Sequence, residues 1–226
     1  MDSKIVNKEI KRVIHPLLKN AGFSIFTSRS AWRYTEHRID IVNFQSYNSY
    51  NASVMECTSY SFVVNIGVYP LAVPYDLGED RMKQRNGFLL PEEYQCPFRI
   101  ALKRNIKQPE SKYDELWYID PEGRYISEAV DDASKAIVRD GFPWFDRLRD
   151  TEEILRIFLN EPRTLGCGSH NSPARSYLIG YLAKSLNQFS LAQDELQRAY
   201  DSGCFRWVEN NLLKDIRFCG LTRRSS

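Results

Sequence analysis

The chain opens on a helical pattern. Val6, Ile10, Val13, Ile14, Leu17 and Leu18 recur at spacings of three and four across residues 3–20, which gathers them into one apolar stripe. Ser3 is placed to cap the start, and Gly22 to stop the helix just past its last turn. Pro16 lies inside the pattern. It has no amide donor and crowds the preceding turn, so a kink or an early end near His15 is expected. Lys4, Lys8, Lys11, Arg12 and Lys19 make the opposite side a solvated polar face.

After Gly22 the period changes to two. Phe23 and Ile25 alternate with polar neighbours, and Trp32 and Tyr34 follow a Ser-Arg-Ser turn. In RIDIVNFQSY, Ile39 and Ile41 lie on one parity and Val42 and Phe44 on the other, which predicts a bulge or a strand covered on both faces. SFVVNIGVY puts Phe62, Val64, Ile66 and Val68 on one face, with Gly67 where a bulge or a close backbone approach would need it. CPFRIALKRNI aligns Phe98, Ile100 and Leu102 against Arg99 and Lys103, and LWYID adds a shorter strand. No helical pattern separates these runs, so they predict an antiparallel sheet of about five strands with the first helix on one face.

Beyond Pro121 the period is helical again. Ile126, Ala129, Val130, Ala133 and Ile137 form a stripe that Gly141 and Pro143 are expected to break. Residues 150–160 form a second helix, capped by Asp150 or Thr151, with Glu152 and Glu153 suited to its N-terminal dipole. Residues 174–202 read as a helical hairpin with Gly180, Ala192, Leu196 and Ala199 at the contact and a turn at Asn187-Gln188. This spacing resembles a single tetratricopeptide-type unit. Phe205, Val208, Leu212, Leu213 and Ile216 would close it with a third helix. The expected fold class is α+β: a sheet domain over 1–150 and a helical C-terminal extension over 151–226, packed on the first part.

Composition narrows the classes. With 226 residues, 42% hydrophobic and 27% charged, the chain can bury a core. The balance of 31 basic against 29 acidic side chains, a net +2, argues against a protein that coats nucleic acid. There is no apolar run of membrane-spanning length, and the first 20 residues are too polar for a signal peptide. Five widely spaced cysteines without a CxxC pair suit reduced thiols, so a cytoplasmic location is expected. Cys167 and His170 in GCGSHNSP are spaced like a ligand pair but have no further ligands nearby, and no metal or cofactor site is expected. No GxSxG, Walker A or GxGxxG motif is present, and His15, His37 and His170 lie in no recognised catalytic motif.

Two groups of residues stand out chemically. Asp40 interrupts an apolar strand; a structural ion pair with Arg33 or Arg38 is its first reading. Its catalytic reading joins Asp40 as metal ligand or base to Arg33 as phosphate clamp, with Gln45 and Asn65, in one concave pocket acting on nucleic acid or a phosphorylated small molecule. The second group lies in SYNSYNASVMECTSYS, residues 46–61, where Ser, Tyr and Asn dominate. Tyrosine offers large contact area with a polar tip, and Ser and Asn adapt their hydrogen bonds, as in many recognition loops. A long hairpin connection is the plainer reading of that segment. Tyr47, Tyr50 and Tyr60, joined by Arg33 and Gln45 on the open sheet face, are the candidate partner-binding residues. They favour a non-catalytic module that binds a protein partner, in concrete form a toxin-neutralising (immunity) or defence-associated protein. Nucleic-acid binding through the basic first helix and Arg217, Arg223 and Arg224 is the weakest alternative.

The succession GF, SAWRYTE, IVNFQSYNSY, SFVVNIGVYP, CPFRIAL and ELWYID resembles the bacterial family called domain of unknown function 4304, over about residues 5–150. The matching elements are Gly22-Phe23, Trp32-Arg33, Asn43-Phe44-Gln45-Ser46, Val64-Asn65-Ile66-Gly67 and Cys96 to Arg99. Where the family has Arg or His just after the cysteine, this chain has Pro97-Phe98. The resemblance implies an α+β fold and carries no activity; the helical tail lies outside it.

Overall fold

A computed structural model describes residues 4–78, 81–160 and 172–223. The Cys167–His170 pair and Arg224 lie outside the described residues. In chain order the elements are α1 (Lys4–Asn20), β1 (Ile25–Phe26), β2 (Ser30–Tyr34), β3 (Arg38–Ser46), α2 (Ser49–Val54) and β4 (Phe62–Pro70). There follow β5 (Gln84–Arg85), β6 (Phe88–Leu89), β7 (Phe98–Ala101), β8 (Leu116–Trp117), α3 (Ile126–Ala136), α4 (Phe142–Arg147) and α5 (Thr151–Asn160). The chain closes with α6 (Pro173–Ser185), α7 (Phe189–Asp201) and α8 (Glu209–Arg223). The fold is α+β, with a helical C-terminal part. Two compact units emerge, one of residues 1–35, 40–68 and 99–146, the other of 36–39, 69–98 and 147–226.

The sheet is antiparallel, in the order β1-β2-β3-β4-β7, and β8 also pairs with β4. Ile25 faces Trp32, and Phe62 faces Trp117. In the first unit, α1 buries Val6, Ile10, Ile14 and Leu18. It continues through Pro16 without ending early. Pro16 lies on the exposed side, where water can replace the hydrogen bond it cannot donate, while the buried stripe holds the helix from the other side. Gly22, at φ 89°, ends α1: its amide bonds the Lys19 carbonyl, and the Phe23 amide bonds that of Leu18. This pair of bonds is the Schellman stop.

Phe62 links Phe44, edge-on at 6.2 Å, to Trp117, stacked at 5.8 Å. The Trp117 indole donates to Asp132 of α3 at 2.9 Å, and the Asn105 amide donates to the same oxygen. A buried carboxylate is thereby satisfied from two sides. The helix beginning at α3 is not broken at Gly141 and Pro143. A π-helical turn, Ile137–Gly141, carries it into α4, with the Phe142 amide bonded back to Ile137. The wider turn shifts the hydrogen-bond register just before Pro143, the residue without a donor.

The second unit holds the helical hairpin of α6 and α7. Its contact is as tight as the spacing suggests, since a Cβ on Gly180 would stand 2.6 Å from the Leu196 side chain. Asn187 takes φ 59° in the turn. Tyr177 stacks on Phe205 at 4.5 Å, and Phe98 meets Phe158 at 4.8 Å. β5 and β6 form a small separate hairpin around Asn86 (φ 51°) and Gly87 (φ 80°). The Asn-Gly step supplies the left-handed pair that a two-residue turn requires.

Candidate functional site

β3 carries both candidate groups. Alternate residues of a strand face opposite ways, so Asp40, Val42 and Phe44 share one face and Asn43 and Gln45 the other. On the first face Arg33 donates from Nε to Asp40 Oδ2 at 2.8 Å, and its second nitrogen lies 2.7 Å from the same oxygen. A third nitrogen donates to the Ala21 carbonyl at 3.0 Å, and the guanidinium lies 5.2 Å and 5.3 Å from the Phe23 and Phe145 ring centres. The Asp40 side chain is 0% exposed. Arg33 is therefore an ion-pair partner of Asp40, and Arg38 donates to the Leu148 carbonyl. The sequence reading puts Arg33 with Gln45 on the open sheet face. The register of β2 against β3 turns it the other way, onto the aromatic side chains of the helix-covered face.

The other face is buried at Ile39 and Ile41 and opens only toward the end of β3, where it carries amides. Asn65 Nδ2 donates to Gln45 Oε1 at 2.8 Å, and Asn43 Nδ2 donates to Ser30 Oγ at 2.9 Å. The structure thus joins Arg33 with Asp40 and Gln45 with Asn65. It does not bring the four into one concave pocket, because β3 turns Asp40 and Gln45 to opposite sides.

The Tyr-rich segment is not an open loop. Asn48 caps α2, its side chain accepting from the Asn51 amide at 2.8 Å. At the other end Glu56 takes φ 53°; its amide bonds Ser53, and the Cys57 amide bonds Ala52 at 2.9 Å. Ala52 is buried and pins the turn. Held this way, α2 projects Tyr50, 75% exposed, and Val54, 61% exposed. They are four residues apart, hence on one side of the helix. Val54 is the residue that sequence reasoning missed, and its spacing from Tyr50 after an Asn cap was the available signal.

The other two tyrosines differ. Tyr47 is half-buried, and burial raises its phenol, with the Cys57 thiol and Tyr113 adding to the effect. Burial also pushes the Cys57 thiol up, so it stays protonated near neutral pH and is a poor nucleophile. Tyr60 is half-buried in a turn where Thr58 Oγ1 donates to the Ile119 carbonyl at 2.6 Å and Ser61 Oγ accepts from the Ile119 amide at 3.0 Å. In the second unit Glu36, His37, Asp150 and Glu152 line a broad cleft of about 490 Å³. Asp150 is already engaged there, accepting from the Glu153 amide at 2.8 Å and from Arg149 at 3.1 Å. Among the described residues no three His, Cys, Asp or Glu side chains gather to hold a metal ion. No helix among them is long and apolar enough to cross a membrane.

An antiparallel sheet with a helix-covered face, amides where the opposite face reaches the surface and a capped projecting turn defines an α+β domain whose distinctive surface is α2. Over residues 14–147 the chain matches the family described as Domain of unknown function (DUF4304), and it belongs to that family. No curated protein and no solved structure matches it.

Proposed function

We propose that this chain is a non-catalytic bacterial binding protein that docks a protein partner in the cytoplasm through α2. Tyr50 and Val54 are the anchors, with Tyr47, Tyr60 and the Gln45–Asn65 pair at the margin. Neutralisation of a toxin, or another defence task, is the concrete form of this role. One observation carries the reading: a large aromatic and an aliphatic side chain are held in water, side by side, on a turn fixed at both ends. Interface anchors are enriched in Tyr, and a preordered anchor loses little entropy on docking. The separation of Arg33–Asp40 from Gln45–Asn65 speaks against the catalytic alternative, which needs all four in one pocket.

The test is a photo-crosslinking amino acid at position 50 in the native host, with one at exposed Glu128 of α3 as control. A single adduct specific to position 50 is expected. Its purified partner should bind the Tyr50→Ala variant at least about 30-fold more weakly, the range of an interface hot spot. The same adducts from both positions, or unchanged affinity in the variant, would remove the proposal's support.

A further inference from the structure

A second surface is built into the first unit, on the outer side of α1. At about 100° per residue, Lys4, Lys8, Lys11, Arg12, His15 and Lys19 fall within one arc of about 100°, turned away from the buried stripe. At about 1.5 Å per residue this row runs about 22 Å from Lys4 to Lys19. The five cations are exposed and His15 is half-buried. Glu9, the one acid of the helix, lies outside the arc, where it pairs with Arg12 and accepts from Ser127 of α3. α3 packs on the Val13 and Leu17 side, away from the row. The element that meets the row is β1, and it adds no charge: the Phe26 ring lies 4.7 Å from the His15 ring and 5.8 Å from the Lys19 ammonium. From residue 10 to residue 35 the chain has no Asp or Glu. Among the described residues no carboxylate pairs with Lys8, Lys11 or Lys19. The row is basic in itself and in its surroundings.

We propose that this row docks the protein on an anionic lipid surface. Charge complementarity calls for a partner with many negative charges, and the make-up of the row selects among such partners. Four of its five cations are lysines, and the arginine is already held by Glu9. Lysine is depleted at protein–protein interfaces, which favour arginine and aromatic anchors. A single nucleic-acid strand needs open rings on which to stack its bases, whereas Phe26 is half-buried and taken by His15 and Lys19. Lysine also lacks the planar fork that reads base edges. A headgroup layer asks for none of these: hydrated point charges along a straight helix meet it over their whole length, and each contributes independently of exact geometry. Ile5, 48% exposed at the edge of the row, gives that layer an apolar side chain to take up. This surface is separate from α2 and stands or falls independently of it.

The test is co-sedimentation of the full chain with vesicles of phosphatidylcholine containing about 30% phosphatidylglycerol, with pure phosphatidylcholine alongside. Binding is expected to the anionic vesicles only, and to fall as salt is raised from about 50 to about 300 mM. Lys8→Gln and Lys11→Gln should each weaken it about fivefold, and the pair about 25-fold. Lys8→Arg with Lys11→Arg should retain it, since the charge is kept. Lys214→Gln, at an exposed position of α8, should leave it unchanged, as should Tyr50→Ala. The proposal is overturned by equal binding to the neutral vesicles, by indifference to the paired glutamine change, or by a loss at Lys214→Gln as large as at Lys8→Gln. It is also overturned if duplex DNA or poly-glutamate, at matched negative charge, binds more tightly than the anionic vesicles; the row would then belong to a nucleic acid or an acidic protein.

Discussion

β3 carries two polar pairs of opposite character. On one side Asp40 is sealed from water and meets a guanidinium that rests against two aromatic rings. On the other, Gln45 and Asn65 share a single neutral hydrogen bond at the surface. A buried charge persists only where a partner and further hydrogen bonds replace its hydration, whereas a surface amide can exchange its partner for water at little cost. The first pair is therefore architecture, tying β2, β3 and the end of α1 together, and the second is free to meet another molecule.

The largest test of that contrast is Asp40→Ala, which strands the Arg33 guanidinium. Urea unfolding should show a loss of about 3–5 kcal/mol. Replacing both members with apolar residues, Arg33→Met with Asp40→Leu, should recover most of it, and failure to recover would mean that the ion pair itself is a net source of stability. Next in size is Gly180→Ala in the helical hairpin. The added methyl meets Leu196 at 2.6 Å, and overpacking of this kind costs about 1–3 kcal/mol by the same assay. Asn48→Ala removes the cap of α2 and should cost about 1 kcal/mol. It should also weaken partner binding without touching Tyr50, which separates preorganisation from contact.

A smaller effect concerns His15, which lies 4.7 Å from Phe26. Burial lowers its imidazole below the ordinary value, and Lys11 and Lys19 lower it further. The unfolded chain thus takes up this proton first. The stabilisation is fully present above the unfolded value of about 6.5 and is lost as pH falls through the lower folded value. Thermal unfolding should show Tm dropping on mild acidification, and His15→Gln should flatten that drop. The smallest effect is expected from Gln45→Ala with Asn65→Ala, within about 0.5 kcal/mol of the parent in urea. A larger loss would break the contrast by making the open pair structural too.

Local chemistry made much of the fold legible. Gly22 ends α1 because only an easy left-handed residue closes that stop, and Gly180 marks the hairpin because only a missing Cβ admits Leu196. The acid at Asp40 signalled an ion pair, because a lone carboxylate in an apolar strand needs one. Pro16 and Pro143 misled for one reason: a missing donor ends a helix only where nothing else holds the chain, and here packing and a widened turn hold it. The direction of Arg33 was hidden because the register between neighbouring strands is not a property of either strand alone.

By itself, the sequence determined the two periods, the caps and stops, and the division into a sheet followed by helices, since each follows from interactions within a few residues. The tertiary structure alone decided which polar residues meet. Arg33 with Asp40, Gln45 with Asn65 and Arg81 with Trp207 are joined by strand register and chain crossing, and these are settled by the burial of the whole core, with no short motif to announce them.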